Sequence, residues 1–366
     1  MLQHRTLSAP LLPGLKALLC PELTASFAPF ICLFLSKTTT TIEIGFMSDY
    51  RPPTLTIPSM IATFPIICPY LRQITLRCLP EDSIVADAVS EMLLACNRNT
   101  LQKFNVDCLL TDPAREDLYQ FPNISELQSA VEGTSSLPPM ILPSLTKMHI
   151  RYLHGHEWLQ GFHGAALDKL EFLSFHTTSR QVGDFLEAVE GVAMATSLLT
   201  TLTTFKFYCS RPWSPNYSPL HTFKQLANLA IETPCHNDCS SAIDDETVTN
   251  LARALPKLNT LQLGSGPCGA VAGVTIEGLV GLACHCADLC TLRVHIQVNS
   301  LVQAGAEVAE LRPGGETTLQ TECSLTTLEV GSTPTPEGSD LTITLALFRI
   351  FPHIRTVKHV VHYNCR

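Results

Sequence analysis

One short apolar pattern recurs along the chain: an apolar residue, two variable ones, an apolar residue, one variable, an apolar residue. Strong copies are Leu71-Ile74-Leu76, Leu101-Phe104-Val106, Leu145-Met148-Ile150, Leu170-Leu173-Phe175 and Leu202-Phe205-Phe207. They continue as Leu226-Leu229-Ile231, Leu258-Leu261-Leu263, Leu289-Leu292-Val294 and Leu325-Leu328-Val330, with weaker copies starting at Leu15, Thr39, Ile124 and Ile354. From Leu145 onward, successive copies start 24 to 36 residues apart. The last two apolar positions lie two apart, so they share one face of a short strand and point into a core, while their neighbours point to solvent. One such unit cannot bury its own apolar face. The units must stack, and their strands must line up as a parallel sheet.

Between the strand copies, the stretches 182–199, 244–255 and 275–289 carry apolar residues at three- and four-residue intervals, the period of a helix. Asp244-Asp245 ahead of Val248 and Leu251 has the chemistry of a capped helix start. An apolar residue or cysteine followed by proline opens several units: Leu12-Pro13, Cys68-Pro69, Phe121-Pro122, Leu142-Pro143, Leu255-Pro256 and Phe351-Pro352. Proline stops a helix and its fixed φ suits the turn into the next strand. Stretches without periodicity, 111–116, 133–139, 211–219 and 331–339, are expected to be loops on one rim. The expectation is an α/β fold: one irregular leucine-rich-repeat solenoid over 1–366, a horseshoe of about 11–13 units, with parallel strands on the concave face and helices on the convex one.

The pattern resembles the leucine-rich-repeat region of fungal, basidiomycete-type F-box proteins. The residues that carry the likeness are Leu12-Pro13-Gly14-Leu15, then Pro29-Phe30-Ile31-Cys32-Leu33-Phe34-Leu35, with Ile42 and Ile44 beyond. Cys68-Pro69-Tyr70-Leu71 with Ile74 and Leu76, and Leu255-Pro256-Lys257-Leu258 with Leu261 and Leu263, extend it. The resemblance implies the substrate-recognition part of a ubiquitin-ligase adaptor, with a protein substrate as partner. No F-box helix is recognisable before Leu15, so adaptor and cullin subunits are expected as partners only if an F-box is supplied. The alternative is a repeat scaffold with no ubiquitin role. The asparagine that closes regular repeats of this class is missing; Leu79, Leu109, Thr178, Ser210 and Gly266 stand in its place.

Composition narrows the classes further. Apolar residues make up 45 % of the 366 and charged residues 16 %, too apolar for a disordered chain. A net charge of -9 argues against bulk nucleic-acid binding. Fifteen cysteines, an odd number scattered among apolar neighbours, read as reduced core thiols and place the chain in cytoplasm or nucleus. The apolar run 27–35 is short and broken by Pro29, so a buried segment is expected rather than a leader or a membrane span. Cys235-His236-Asn237-Asp238-Cys239, the group Cys284, His285, Cys286 and Cys290, and the trio His353, His359 and His362 lack zinc-type pairing. The second group is expected within a helix, with Cys286 and Cys290 sharing a face with Leu282. With no nucleophile elbow and no phosphate loop either, neither catalysis nor a metal or other cofactor is expected.

The candidate site is therefore the outward side of the strands. Arg77, Lys103, Lys147, His149, Arg151, Phe172, His176, Lys206 and Tyr208 occupy outward positions, and the five strong copies from Leu71 to Leu202 present five Lys or Arg against one acid, Asp107. Such a stripe, with Phe172 and Tyr208 as anchors, suits an acidic or phosphorylated segment of a partner protein.

Overall fold

Each copy of the motif, weak ones included, is a strand in the computed structural model, which describes residues 10–24, 26–47, 56–80, 82–131, 141–152, 159, 162, 165, 167–177, 184–210, 216–233, 243–264, 273–303, 322–330 and 340–359. The chain divides into two compact units, Met1–Leu170 and Glu171–Arg366. Unit 1 runs β1 (Ala17–Leu23), β2 (Thr41–Phe46), α1 (Thr56–Ile67), β3 (Gln73–Arg77), α2 (Ser83–Ala95), β4 (Lys103–Leu109), α3 (Asp112–Leu118), β5 (Glu126–Val131) and β6 (Lys147–Tyr152). Each strand pairs in parallel with the next. Unit 2 runs β7 (Phe172–Thr177), α4 (Phe185–Ala195), α5 (Leu198–Thr201), β8 (Thr204–Cys209), β9 (Asn228–Glu232), α6 (Asp245–Ala254), β10 (Thr260–Leu263), α7 (Ile276–His285), β11 (Thr291–Val294), β12 (Thr327–Val330), α8 (Asp340–Ile350) and β13 (Thr356–His359). Its strands also pair in parallel and in chain order. The fold is α/β with parallel strands.

The motif predicts the core residue by residue. Ile74, Leu76, Phe104 and Val106 in unit 1, and Phe207, Leu229, Leu261 and Leu292 in unit 2, are buried completely. Alternation is strict along β4, where Phe104, Val106 and Cys108 are buried while Lys103, Asn105, Asp107 and Leu109 face out. At the head of α4, Phe185 packs edge-on against Phe175, centroids 5.0 Å apart, and lies 4.7 Å from the ring of Phe207. Burying such rings supplies the largest apolar areas in the unit.

Side-chain hydroxyls bridge neighbouring strands at their entrances. Thr40 donates its hydroxyl to the Lys16 carbonyl (3.3 Å), Ser125 to Gln102 (3.2 Å) and Thr146 to Ser125 (3.0 Å). In unit 2, Thr203 donates to Glu171 (3.1 Å) and Thr326 to Cys290 (3.2 Å). Each acceptor is the equivalent carbonyl one strand back, and the same carbonyl takes two backbone N–H groups. The rungs therefore tie neighbouring coils at the strand entrance.

Three expectations need correction. The stretch 111–116 is not a loop: Pro113 sits in the first turn of α3, where its missing N–H costs nothing. The run 27–35 is only half buried, with Ala28, Ile31 and Leu35 inside but Phe27 and Phe30 exposed. The helix ahead of Leu289 ends at His285, so Cys286 is its C-cap and Cys290 lies beyond it. Most of 133–139, 211–219 and 331–339 falls outside the described residues, as do Thr178 and Gly266. Among the described residues, no helix is long and apolar enough to cross a membrane.

Candidate functional site

In unit 1, Arg77, Lys103, Lys147, His149 and Arg151 all stand at outward positions of β3, β4 and β6. Strand pairing puts Gln73, Lys103, Glu126 and Lys147 in one row, and Thr75, Asn105, Gln128 and His149 in the next. A register shift in β4 sets Leu109 opposite Ala130, which in turn faces Arg151. Neighbouring strands lie about 5 Å apart, so residues in one row touch.

The cations of this face come with acids that the strong motif copies do not reveal. Arg77 pairs with Glu43 of β2 (3.0 Å), and Lys103 with Glu126 of β5 (3.3 Å). The Asn105 amide donates to the other oxygen of Glu126 (2.8 Å). Burial pushes the Glu126 carboxyl up, but the Asn105 amide and the Lys103 ammonium, aided by Lys147, outweigh it and hold the group below its ordinary value. Asp107 is committed elsewhere. Its carboxylate accepts the N–H groups of Cys78 (2.5 Å) and Leu79 (3.2 Å), fixing a turn in which Cys78 takes φ +55°.

In unit 2, Phe172, His176, Lys206 and Tyr208 gather on β7 and β8. The Lys206 ammonium lies 5.6 Å from the centre of the Phe172 ring, within cation–π range. The His176 and Tyr208 rings are 6.4 Å apart. Tyr208 donates its hydroxyl to Glu232 (2.7 Å), and burial together with that carboxylate pushes the phenol up to about 12. The Gln262 amide donates to the same carboxylate. Arg293 lies 3.9 Å from both Glu232 and Glu329, and Lys358 lies 3.2 Å from Glu329. Outward charge thus alternates from β11 to β13, and neutral Gln262 of β10 stands between Glu232 and Arg293 in chain order. Gln262, Arg293, Glu329 and Lys358 form one outward row, Glu232 stands in register with Tyr208, and the signal of all five was the continuation of the motif past Leu202.

Among the described residues, the thiol and imidazole groups do not converge. Cys284 is exposed, and His285 accepts a hydrogen bond from Arg253 (3.3 Å). Cys286 is buried with its thiol pushed up to about 12, chiefly by burial and then by the nearby Cys323, and it lies 3.7 Å from the Ala252 carbonyl. Cys290 accepts from the Asn259 amide (3.3 Å). His353 is exposed ahead of β13 and His359 ends that strand, while His362 and the 235–239 cluster lie outside the described residues. Among the described residues, no three His, Cys, Asp or Glu side chains are arranged to hold a metal ion.

The chemistry these faces offer is rows of ion pairs, amides and aromatic rings, open to solvent and spaced by the strand repeat. Compared with models of known protein families the chain matches none, and no curated protein matches it.

Proposed function

We propose that this chain is a protein-interaction module of the leucine-rich-repeat class, whose outward strand rows hold an extended segment of a partner protein. The observation that carries this is the pair of outward rows shared by β3 to β6, Gln73–Lys103–Glu126–Lys147 and Thr75–Asn105–Gln128–His149, above an inner face that is apolar except for Ser129. In unit 1 the outward groups Arg77, Lys103, Lys147 and Arg151 stand against Glu43, Asp107 and Glu126, so the partner must exchange ion pairs rather than fill an uncompensated positive field. An exposed ion pair contributes about 0–1 kcal/mol, whereas a charge-assisted bond to a phosphate contributes about 1.5–3 kcal/mol. A phosphorylated or strongly acidic segment therefore displaces Glu126 from its lysines and gains on balance.

Binding to arrayed acidic and phosphorylated peptides tests this. Lys147→Glu combined with Arg151→Glu should abolish capture, and Glu126→Gln, which releases Lys103 and Lys147, should strengthen it several-fold. Capture indifferent to the double charge reversal sinks the reading. Attachment to a ubiquitin ligase rests on the resemblance to F-box repeat regions, and co-purification with the adaptor and cullin subunits is its own separate test. Peptide capture without co-purification leaves an interaction scaffold with no ubiquitin role.

A further inference from the structure

One arrangement of charge recurs on the outward rows, once in each unit. In unit 1, Glu126 stands in register between Lys103 and Lys147. In unit 2, Glu329 stands in register between Arg293 and Lys358. The triads lie on three successive strands, β4 to β6 and β11 to β13, so each sets two cations two strand spacings apart with one carboxylate midway. Both carboxylates are recessed, with side chains 22 % exposed, while Lys103 (40 %) and Lys358 (57 %) reach further out. Lys147 is exposed as well. In each triad the carboxylate pairs with a lysine, Glu126 with Lys103 at 3.3 Å and Glu329 with Lys358 at 3.2 Å.

The strand spacing acts as a ruler. Strands in a sheet lie about 4.7–4.9 Å apart, so the two cations of a triad are separated by roughly 9.6 Å. A bound segment that uses both must present two negative groups at that separation, on the side facing the sheet. A β-strand does not, because its residues face one way at separations of about 6.7 Å and about 13.4 Å. A polyproline II segment does. It has three residues per turn and rises about 3.1 Å per residue, which returns every third side chain to one face after about 9.3 Å. The recessed carboxylate sharpens the choice, since negative groups set closer together would put one of them over Glu126 or Glu329, where like charge repels it. A phosphate carries about 1.5–2 negative charges, so it outcompetes the single charge of that carboxylate for the cation.

We propose that each triad binds a polyproline II segment phosphorylated at two positions three residues apart, one phosphate on each cation and the glutamate between them. This rests on the outward rows being a polypeptide-binding face, and it adds to that face a spacing, a backbone conformation and a count of two sites per chain.

Isothermal titration calorimetry of the full chain with proline-rich peptides tests this, each peptide carrying two phosphoserines set from one to seven residues apart. Affinity should peak at three, with spacings of two and four at least roughly tenfold weaker through the loss of one charge-assisted bond. Two peptides should bind per chain. Lys147→Gln and Lys358→Gln, both at exposed positions, should each remove one site and leave the spacing preference of the other intact. Glu126→Gln combined with Glu329→Gln should tighten binding at the spacing of two, because the repulsion midway is gone. Affinity that is flat with spacing, or two sites persisting in Lys147→Gln, overturns the proposal while the rows remain a general face for acidic peptides. So does an optimum at seven, which reports a helical partner with residues about 10.5 Å apart on one face. Peptides that bind at no spacing overturn the underlying reading too. Circular dichroism checks that each variant is folded.

Discussion

Cys78 is the only non-glycine among the described residues with positive φ, at +55°. A side chain in that region costs about 1–2 kcal/mol, and here the Asp107 carboxylate offsets the cost by accepting two N–H groups of the turn. Cys78→Gly should therefore raise the unfolding free energy read from denaturant curves by about 0.5–1 kcal/mol, the strain relieved less the extra freedom of glycine when unfolded. A branched replacement, Cys78→Val, should lower it. The opposite order would mean that the turn is not left-handed. At this scale the sequence marks which face a side chain takes but not its partner. Glu43 and Glu126 lie on weak motif copies, where Thr39 replaces the leading leucine and Ser129 the last apolar residue, so the acids stay hidden from a charge count made on the strong copies.

At the scale of the element, α7 is held by its neighbour. Asp245, the first residue of α6, accepts the N–H groups of Thr275 (2.7 Å) and Gly278 (3.1 Å) and the Thr275 hydroxyl (2.5 Å), which satisfies the open N-terminus of α7 from the coil before. Gly278 is required there, since a Cβ would lie 2.4 Å from that carboxylate. Asp245→Ala should destabilise the chain by about 1–2 kcal/mol. Gly278→Ala should do similar damage, and the double variant should lose clearly less than the two singles added together. Strict additivity in equilibrium unfolding would rule out the shared cap. α4, α6 and α7 are legible as helices because their apolar residues keep a helical period. α1 is not, because it is apolar nearly all round and contains Pro65. α3 is not, because seven residues with Pro113 give too short a window for periodicity to register.

Across the whole molecule, stability in a stack is shared between neighbours, so a coil with one neighbour holds less of it than a coil with two. Amides in β1 and β13 should exchange with solvent at least about tenfold faster than those of β3 and β4 in unit 1 or β10 and β11 in unit 2. Uniform protection along either unit would contradict a nearest-neighbour stack. Within each unit the order and direction of the described strands could be read from the motif alone, because burial on one face imposes it. Exposure at the last described strand could not: Val357 and Leu328 are both ordinary apolar motif residues, yet Val357 is 53 % exposed and Leu328 is buried.

The hydroxyl rungs at Thr40, Ser125, Thr146, Thr203 and Thr326 carry a consequence for the lifetime of the protein. A ladder built from asparagine amides slowly loses ammonia, each event turning a donor into a negative charge facing a carbonyl. Asparagine is among the residues that proteins adapted to heat avoid for that reason. A threonine or serine rung has no amide to hydrolyse, so these junctions between coils do not age by that route.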